Sequence, residues 1–360
     1  MKSILFILTC TIIACCSNCQ MKSQQDTALS DIDSANSYTN PLLQRGTEPW
    51  VIYHDSFYYY TQSTENEISL WKTSDLTQLR TAMHKIIYDP KGQVGHAHIW
   101  APELHFIQGK WFLYYTADDG NTDNHQLYVA VNDSTDPMKG AFIYKGHIVT
   151  DKQKSWAIHP NTFFIDDRQY LIWSGWQTKR ADEETQCIYI ASMENPWTLS
   201  SDRILISIPT YEWERQWICP DGSQSAYPIY VNENPQAFIT PTKVNIYYSA
   251  SGLWTPYYCI GKLEADIDSD LLDPHSWKKY SEPVFMHNAK DSIFSPGGSV
   301  FFYSPKRSNW YMIYHARNKP NDAPGEIDSR SPRLQPIQQS PNGDLILGKP
   351  IRIDSLLPCP

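Results

Sequence analysis

The stretch TEPWVIYHDSFYYYTQ, residues 47–62, decides the fold, because its pattern recurs five times along the chain. Glu48 stands beside Pro49, an apolar strand follows, His54-Asp55-Ser56 makes a polar turn, and an aromatic-rich strand returns. Ala101-Pro102 opens ELHFIQGKWFLYYTA and His159-Pro160 opens NTFFIDDRQYLIWSGW. Asn234-Pro235 opens QAFITPTKVNIYYSASG, and Ser295-Pro296 opens GGSVFFYSPKRSNWYMIYHAR. The prolines recur every 53 to 75 residues. All-β units of this size repeated around one axis imply a five-bladed β-propeller, one blade per copy. The first residues of each copy are then expected to line an axial pocket.

Working outward, other copies carry the counterpart of the His54-Asp55-Ser56 turn, and further strands follow. Gln108-Gly109-Lys110, Asp166-Asp167-Arg168 and Pro305-Lys306-Arg307 are turns flanked by apolar and aromatic alternation. Strands are expected at 68–72, 126–132, 187–192 and 258–263, and no stretch sustains a helical period. The segment 202–230, in the longest interval between copies, reads as a long loop over one face, where ligand sites are commonly shaped. A strand-like tail, 331–353, either pairs with the first blade or completes the fifth. Composition agrees with an all-β fold: 23 Tyr, 13 Trp and 12 Phe, with 25 Pro punctuating short segments. The formal charge of −9, with no basic cluster, argues against nucleic acid as a partner.

The N-terminus has a different character. Lys2 precedes an apolar run from Ile4 to Ala14 that is too short to span a bilayer and has the layout of a secretory signal. It ends in Ile12-Ile13-Ala14-Cys15, which resembles a bacterial lipobox. Residues 1–15 are therefore expected to be a lipoprotein signal with lipidated Cys15, and 16–38 a flexible tether. Residues 39–360 are expected to form the propeller. The expected location is that of an exported lipoprotein of the outer membrane, attached by acyl chains alone. Cys187, Cys219, Cys259 and Cys359 lack metal-ligand spacing, so no metal is expected, and the sequence does not pair them.

An axial pocket gathers side chains that are remote in sequence. One candidate comes from each copy: Glu48, Glu103, His159, Glu233 and the pair Gly297-Gly298. Two carboxylates across such a pocket suit glycoside hydrolysis, one as acid toward the leaving oxygen and the other as base toward water. Most aromatics of a propeller must serve packing between blades, and a few face the ligand.

These phrases, with IWAPELHFIQGKWFLYYTADDGNTDNHQLYVA, VNENPQAF and SRSPRLQP, resemble glycoside hydrolase family 43 over roughly residues 40–352. The resemblance implies a five-bladed propeller acting on arabinose- and xylose-containing glycans by an inverting mechanism. It places Glu233 on the family's general acid and Glu48 on the base, where the family has Asp. His159 falls on a second Asp that tunes and orients the acid. Gly298 stands where the family often has an axial His, so open space is expected there. Trp100 matches a pocket-wall aromatic and Arg330 a substrate-contacting arginine. A Glu at 48 reaches about one methylene further than Asp, and His159 exchanges a fixed anion for a group that titrates near neutrality. The expected function is a glycosidase of the arabinofuranosidase/xylosidase type with a Glu/His/Glu centre. It is expected to act as a monomer on an oligosaccharide or polysaccharide without a cofactor. The competing expectation is a lipid-anchored glycan-binding protein that has lost hydrolysis.

Overall fold

The computed structural model describes residues 36–64, 66–177, 184–223 and 228–360. The signal, Cys15 and nearly all of the tether lie outside them. Among the described residues there is no α-helix, only short 3-10 turns between strands.

Each copy of the repeated phrase builds one blade. Trp50–His54, Phe57–Thr64, Glu67–Thr73 and Met83–Tyr88 form the first, all antiparallel. Ala97–Ile107, Lys110–Asp118, Gln126–Asn132 and Ile143–Ile148 form the second. The third holds Ala157–Ile165, Arg168–Trp176 and Glu184–Asn195, with Thr198–Leu199 and Ile204–Ser207 on its outer edge. Ile229–Ile239, Lys243–Ala250, Cys259–Asp266 and Lys278–Lys279 make the fourth. Phe294–Ser304, Asn309–Arg317, Ser331–Gln339 and Leu345–Ile346 make the fifth. The tail thus completes blade 5. The stretch read as a long loop carries an edge strand and a turn at Glu212–Glu214, and its Trp217 carbonyl accepts from Trp254 Nε1 (2.8 Å).

Apolar side chains alternate along these strands, so both faces of a blade are buried against its neighbours. Phe112, Tyr114, Leu171 and Trp173 fill the space between blades 2 and 3. Ile188, Ile190, Ile246 and Leu263 fill that between blades 3 and 4. Tyr247, Ile260, Met312 and Tyr314 pack between blades 4 and 5. Most of the chain's aromatics are spent on this inter-blade packing. Cys187, Cys219 and Cys259 are buried free thiols, and Cys359 is free and half-buried.

The backbone ahead of each proline is the fold's recurrent irregularity. Glu48, Ala101, His159, Asn234 and Ser295 all lie in the left-handed region, with φ of 48°, 46°, 55°, 52° and 53°. No glycine occupies any of these positions, and the left-handed region is unfavourable for residues with a Cβ. In blades 2 to 5 the pairing register slips at or beside this point, the mark of a β-bulge. Each bulge turns an N–H toward the preceding blade. Ala101 donates to Glu48 Oε2 (3.0 Å), His159 to Thr116 Oγ1 (3.1 Å) and Asn234 to His159 Nδ1 (3.2 Å). Ser295 donates to the Pro256 carbonyl (3.2 Å), and Glu48 to His315 Nδ1 of blade 5 (3.0 Å). The ring of donors closes on itself.

The chain ends close the toroid. Ser37–Tyr38 pairs antiparallel with Leu357–Pro358. Asn40 bridges to blade 5 by donating to the Leu334 carbonyl (2.8 Å) and accepting from its N–H (2.8 Å), and Leu42 N–H reaches the Pro332 carbonyl. Asn40→Ala takes the acceptor from the buried Leu334 N–H, while the carbonyl keeps the Tyr38 hydroxyl (2.7 Å); the loss is roughly 1–3 kcal/mol. A urea unfolding series should show the unfolding free energy lowered by that amount, through a lower midpoint at unchanged slope; an unchanged midpoint would mean that the seam does not hold the ring.

Candidate active site

Four of the five left-handed positions aim side chains or their neighbours into one cavity of about 620 Å³ at the axis. Glu48, His159, Glu233, Trp100 and Arg330 all line it, so the structure brings together every site residue expected from the sequence within the described residues. Of the wider candidates, the pair Gly297-Gly298 does not line it, and neither does Glu103. It follows its proline instead of preceding it and lies one tier deeper. There it accepts from Asn161 Nδ2 (2.9 Å), Gln236 Nε2 (2.5 Å) and His105 Nε2 (2.9 Å), a network closed on itself. It plugs the axis and does not line the cavity.

His159 sits between the two carboxylates. Its Nε2 lies 2.9 Å from Glu48 Oε1, and its Nδ1 lies 3.9 Å from Glu233 Oε2. Asn234 N–H points at Nδ1, so that nitrogen accepts and Nε2–H donates to Glu48. The neutral Nε2–H tautomer therefore partners both ring nitrogens. Burial opposes a second proton and the charges of Glu48, Glu233 and Glu103 favour it; the net direction of the His159 pKa is upward. Gaining that proton requires Nδ1 to give up the Asn234 N–H.

The two glutamates are driven apart. Burial raises the Glu48 pKa, but the His159 charge and hydrogen bond, Arg330 and the Ala101 N–H outweigh it, and the carboxyl is held below its usual value. Burial dominates at Glu233 and raises its pKa, against the His159 charge and the hydrogen bond from Tyr258, with Glu48 adding to the rise. Tyr258 donates to Glu233 Oε1 at 2.7 Å. The proton of a neutral Glu233 is thereby left to Oε2, the oxygen facing His159.

A second group behind the carboxylates holds them in place. His315, from the second strand of blade 5, fills the axis where Gly298 predicted open space; a Cβ at 298 would stand 2.9 Å from its ring. Its Nδ1 accepts from Glu48 N–H at 3.0 Å, and its Nε2 lies 3.3 Å from Arg330 Nη1. Burial and the charges of Arg330 and Arg317 push its pKa well down, so it stays neutral. Arg330 is clamped by Asp328 through Nε (2.9 Å) and Nη2 (2.6 Å) and presents the rest of its guanidinium to the cavity. Trp100 stacks on His125 with centroids 3.9 Å apart, and Trp156, Trp176 and Trp254 complete an aromatic wall. Among the described residues no His/Cys/Asp/Glu group is arranged to hold a metal.

Tyr258, His315, Asp328, Trp156, Trp176 and Trp254 were not singled out from sequence. His315 lies in the quoted phrase NWYMIYHAR, and Asp328 lies two residues before Arg330. Those were the available signals. Tyr258 and the tryptophans look like any other aromatic of the blades.

Most of the chain is similar to known proteins. The family model described as glycosyl hydrolases family 43 matches residues 38–345. The extracellular exo-α-(1→5)-L-arabinofuranosidase of Streptomyces avermitilis is 33% identical over 325 residues, 88% of this chain and 64% of that protein. The chain thus spans less than two thirds of that relative's length. The protein of the same description from Streptomyces chartreusis is 32% identical over 78% of this chain and 82% of its own. Among solved structures, an α-L-arabinofuranosidase from Lactobacillus brevis superposes with a TM-score of 0.79 at 31% identity, covering 88% of this chain and 98% of that one.

Removing the Tyr258 donor should destabilise the ionised form of Glu233. In Tyr258→Phe the Glu233 carboxyl should titrate at higher pH than in the wild type, followed by carbon-13 NMR of the side-chain carboxyls. A shift downward, or none, would mean that the phenol does not serve this carboxylate.

Proposed function

The chain belongs to glycosyl hydrolases family 43, and from that footing we propose that it is an arabinofuranosidase/xylosidase-type glycosidase working with a Glu/His/Glu centre. The observation that carries this reading is the divergence of two buried carboxylates in one cavity, the Glu48 pKa held below its usual value by His159 and Arg330 and the Glu233 pKa raised by burial. Pairs of titratable groups pushed apart in this way are acid and base. Glu233 gives its Oε2 proton to the leaving glycosidic oxygen. Glu48 takes a proton from the attacking water, each of its oxygens keeping a lone pair beyond the bonds to Ala101 N–H and His159. The imidazole stands in for the family's second Asp: it orients Glu48 through Nε2–H and faces the acid with Nδ1. Arg330 and the tryptophan wall hold the sugar. The arabinofuranosidase activity of the relatives supports arabinofuranosides as the first substrates to try. The lipobox-like run at Ile12-Ile13-Ala14-Cys15 supports a membrane-anchored enzyme.

One observation favours a second reading. His159 takes part of the gap between carboxylates in which an inverting enzyme keeps its water. A glycan-binding protein without turnover is the alternative on that ground.

A panel of aryl arabinofuranosides, aryl xylosides and neutral pentose oligosaccharides separates the two. The enzyme reading expects hydrolysis with a bell-shaped pH profile. Its acid limb, set by Glu48, should lie below the usual carboxylate range, and its basic limb, set by Glu233, above it. Glu233→Gln should lower kcat by roughly 10²–10⁴-fold with binding retained. Sugar binding by calorimetry without any turnover would leave the binder. Anchoring is checked apart from this: Cys15→Ser should move the protein from the membrane fraction to the soluble one.

A further inference from the structure

The five inner strands all run the same way, from the left-handed residue near the axis to a hairpin turn at the far end. The turns at 55–56, 108–109, 166–167, 240–242 and 305–308 therefore share the face opposite the cavity. The four most exposed Phe, Tyr and Trp side chains among the described residues, Phe57, Phe164, Trp197 and Tyr303, all lie at that face. Phe57 opens the return strand of blade 1, and Phe164 and Tyr303 stand just before the turns of blades 3 and 5. Trp197 follows the third strand of blade 3, whose Met193 pairs with Gln169 beside the turn. Ile143 and Ile239 are exposed at the same level in blades 2 and 4.

Single exposed apolar side chains are ordinary on a protein surface. A ring with a member on every blade marks an interaction surface. The cavity end exposes aliphatic chains such as Val94 and Val149, but none of these aromatics. The charges among the turns are of both signs: Lys110 is paired with Asp133, and Lys243 with Asp266. Such a face has no strong field to hold a charged macromolecule. Its rings suit a lipid–water interface, where aromatic side chains settle at headgroup level.

The chain itself leads to that face. Cys359 N–H donates to the Asn36 carbonyl (3.1 Å), while Arg307 of the blade-5 turn donates to the Cys359 carbonyl (3.0 Å). The segment that joins Cys15 to the propeller therefore enters at the turn end.

We infer that the turn face rests on the lipid surface through its aromatic ring, so that the cavity opens away from the bilayer. The inference rests on the anchored reading of Cys15 for bringing the bilayer near, and adds which face meets it.

The test uses the full chain with its lipid, inserted into preformed phosphatidylcholine/phosphatidylglycerol vesicles and recovered by flotation. Lysine acetylation by a water-soluble reagent is read by mass spectrometry against the lipid-free Cys15→Ser chain. Lys110 and Lys306, at the turn face, should react about fivefold less on vesicles, and Lys91 and Lys154, at the cavity end, should be unchanged. The variant Phe57→Ser/Phe164→Ser/Tyr303→Ser should still float through its anchor and regain reactivity at Lys110 and Lys306. Protection in that variant equal to wild type overturns the aromatic contact. Floating wild-type protein with both ends equally reactive, or equally shielded, overturns the orientation and leaves the anchor standing. A wild-type chain that does not float overturns both. Shielding of Lys110 and Lys306 in the lipid-free chain as its concentration rises would give the face to a second copy, and overturn the bilayer.

Discussion

The site depends on one backbone constraint. Five residues, each just ahead of an inner-strand proline, are held in the left-handed region. A proline restricts the residue before it mainly to extended conformations, and left-handed backbone is unfavourable for side chains other than glycine. Such strain, of order 1–3 kcal/mol per residue, persists only where the surroundings over-determine it. Here the surroundings are the blades packed on either side and the partner that each displaced N–H finds on the blade before it. The left-handed turn that costs local stability is the same one that turns Glu48 and His159 toward the axis.

The polar centre then follows from the ring. Because Ala101 donates to Glu48 and Asn234 donates to His159, both side chains are fixed by backbone groups that cannot change protonation. This fixes the tautomer of His159, and through it the direction of the hydrogen bond to Glu48. Glu233, one residue outside the ring position, escapes such a donor and is served by the Tyr258 phenol alone among the described hydrogen bonds. The contrast between a carboxylate held by a backbone donor, an imidazole and a guanidinium and one held chiefly by burial is what separates their proton affinities.

Much of this was readable in the sequence, and the unreadable part has a physical reason. Strands, turns and the residues flanking each proline recur locally, so the blades and the trio Glu48, His159 and Glu233 could be found by aligning the copies. Glu103 was placed at the pocket because it neighbours a proline, but it stands on the far side of that proline, past the bulge. Two residues along a strand moves a side chain one tier down the axis, into the Asn161–Gln236 network. His315 was overlooked because it reaches the axis from a second strand, through the gap left by Gly298. The tail at 331–353 had no local signal for its partner; its place in blade 5 follows from three-dimensional pairing.

The donor ring also sets what can be inherited at its positions. Whatever stands at 48 or 159 must offer a lone pair to the next blade's N–H, since an orphaned buried donor is costly. Carboxylates meet that condition, and so does a neutral imidazole through Nδ1, whereas an ammonium or guanidinium does not. An Asp can therefore give way to His at 159 without disturbing the architecture, because the exchange keeps the acceptor and alters only the charge. In such a scaffold, lineages are free to revise their chemistry at the axis within an alphabet of acceptors that the backbone enforces.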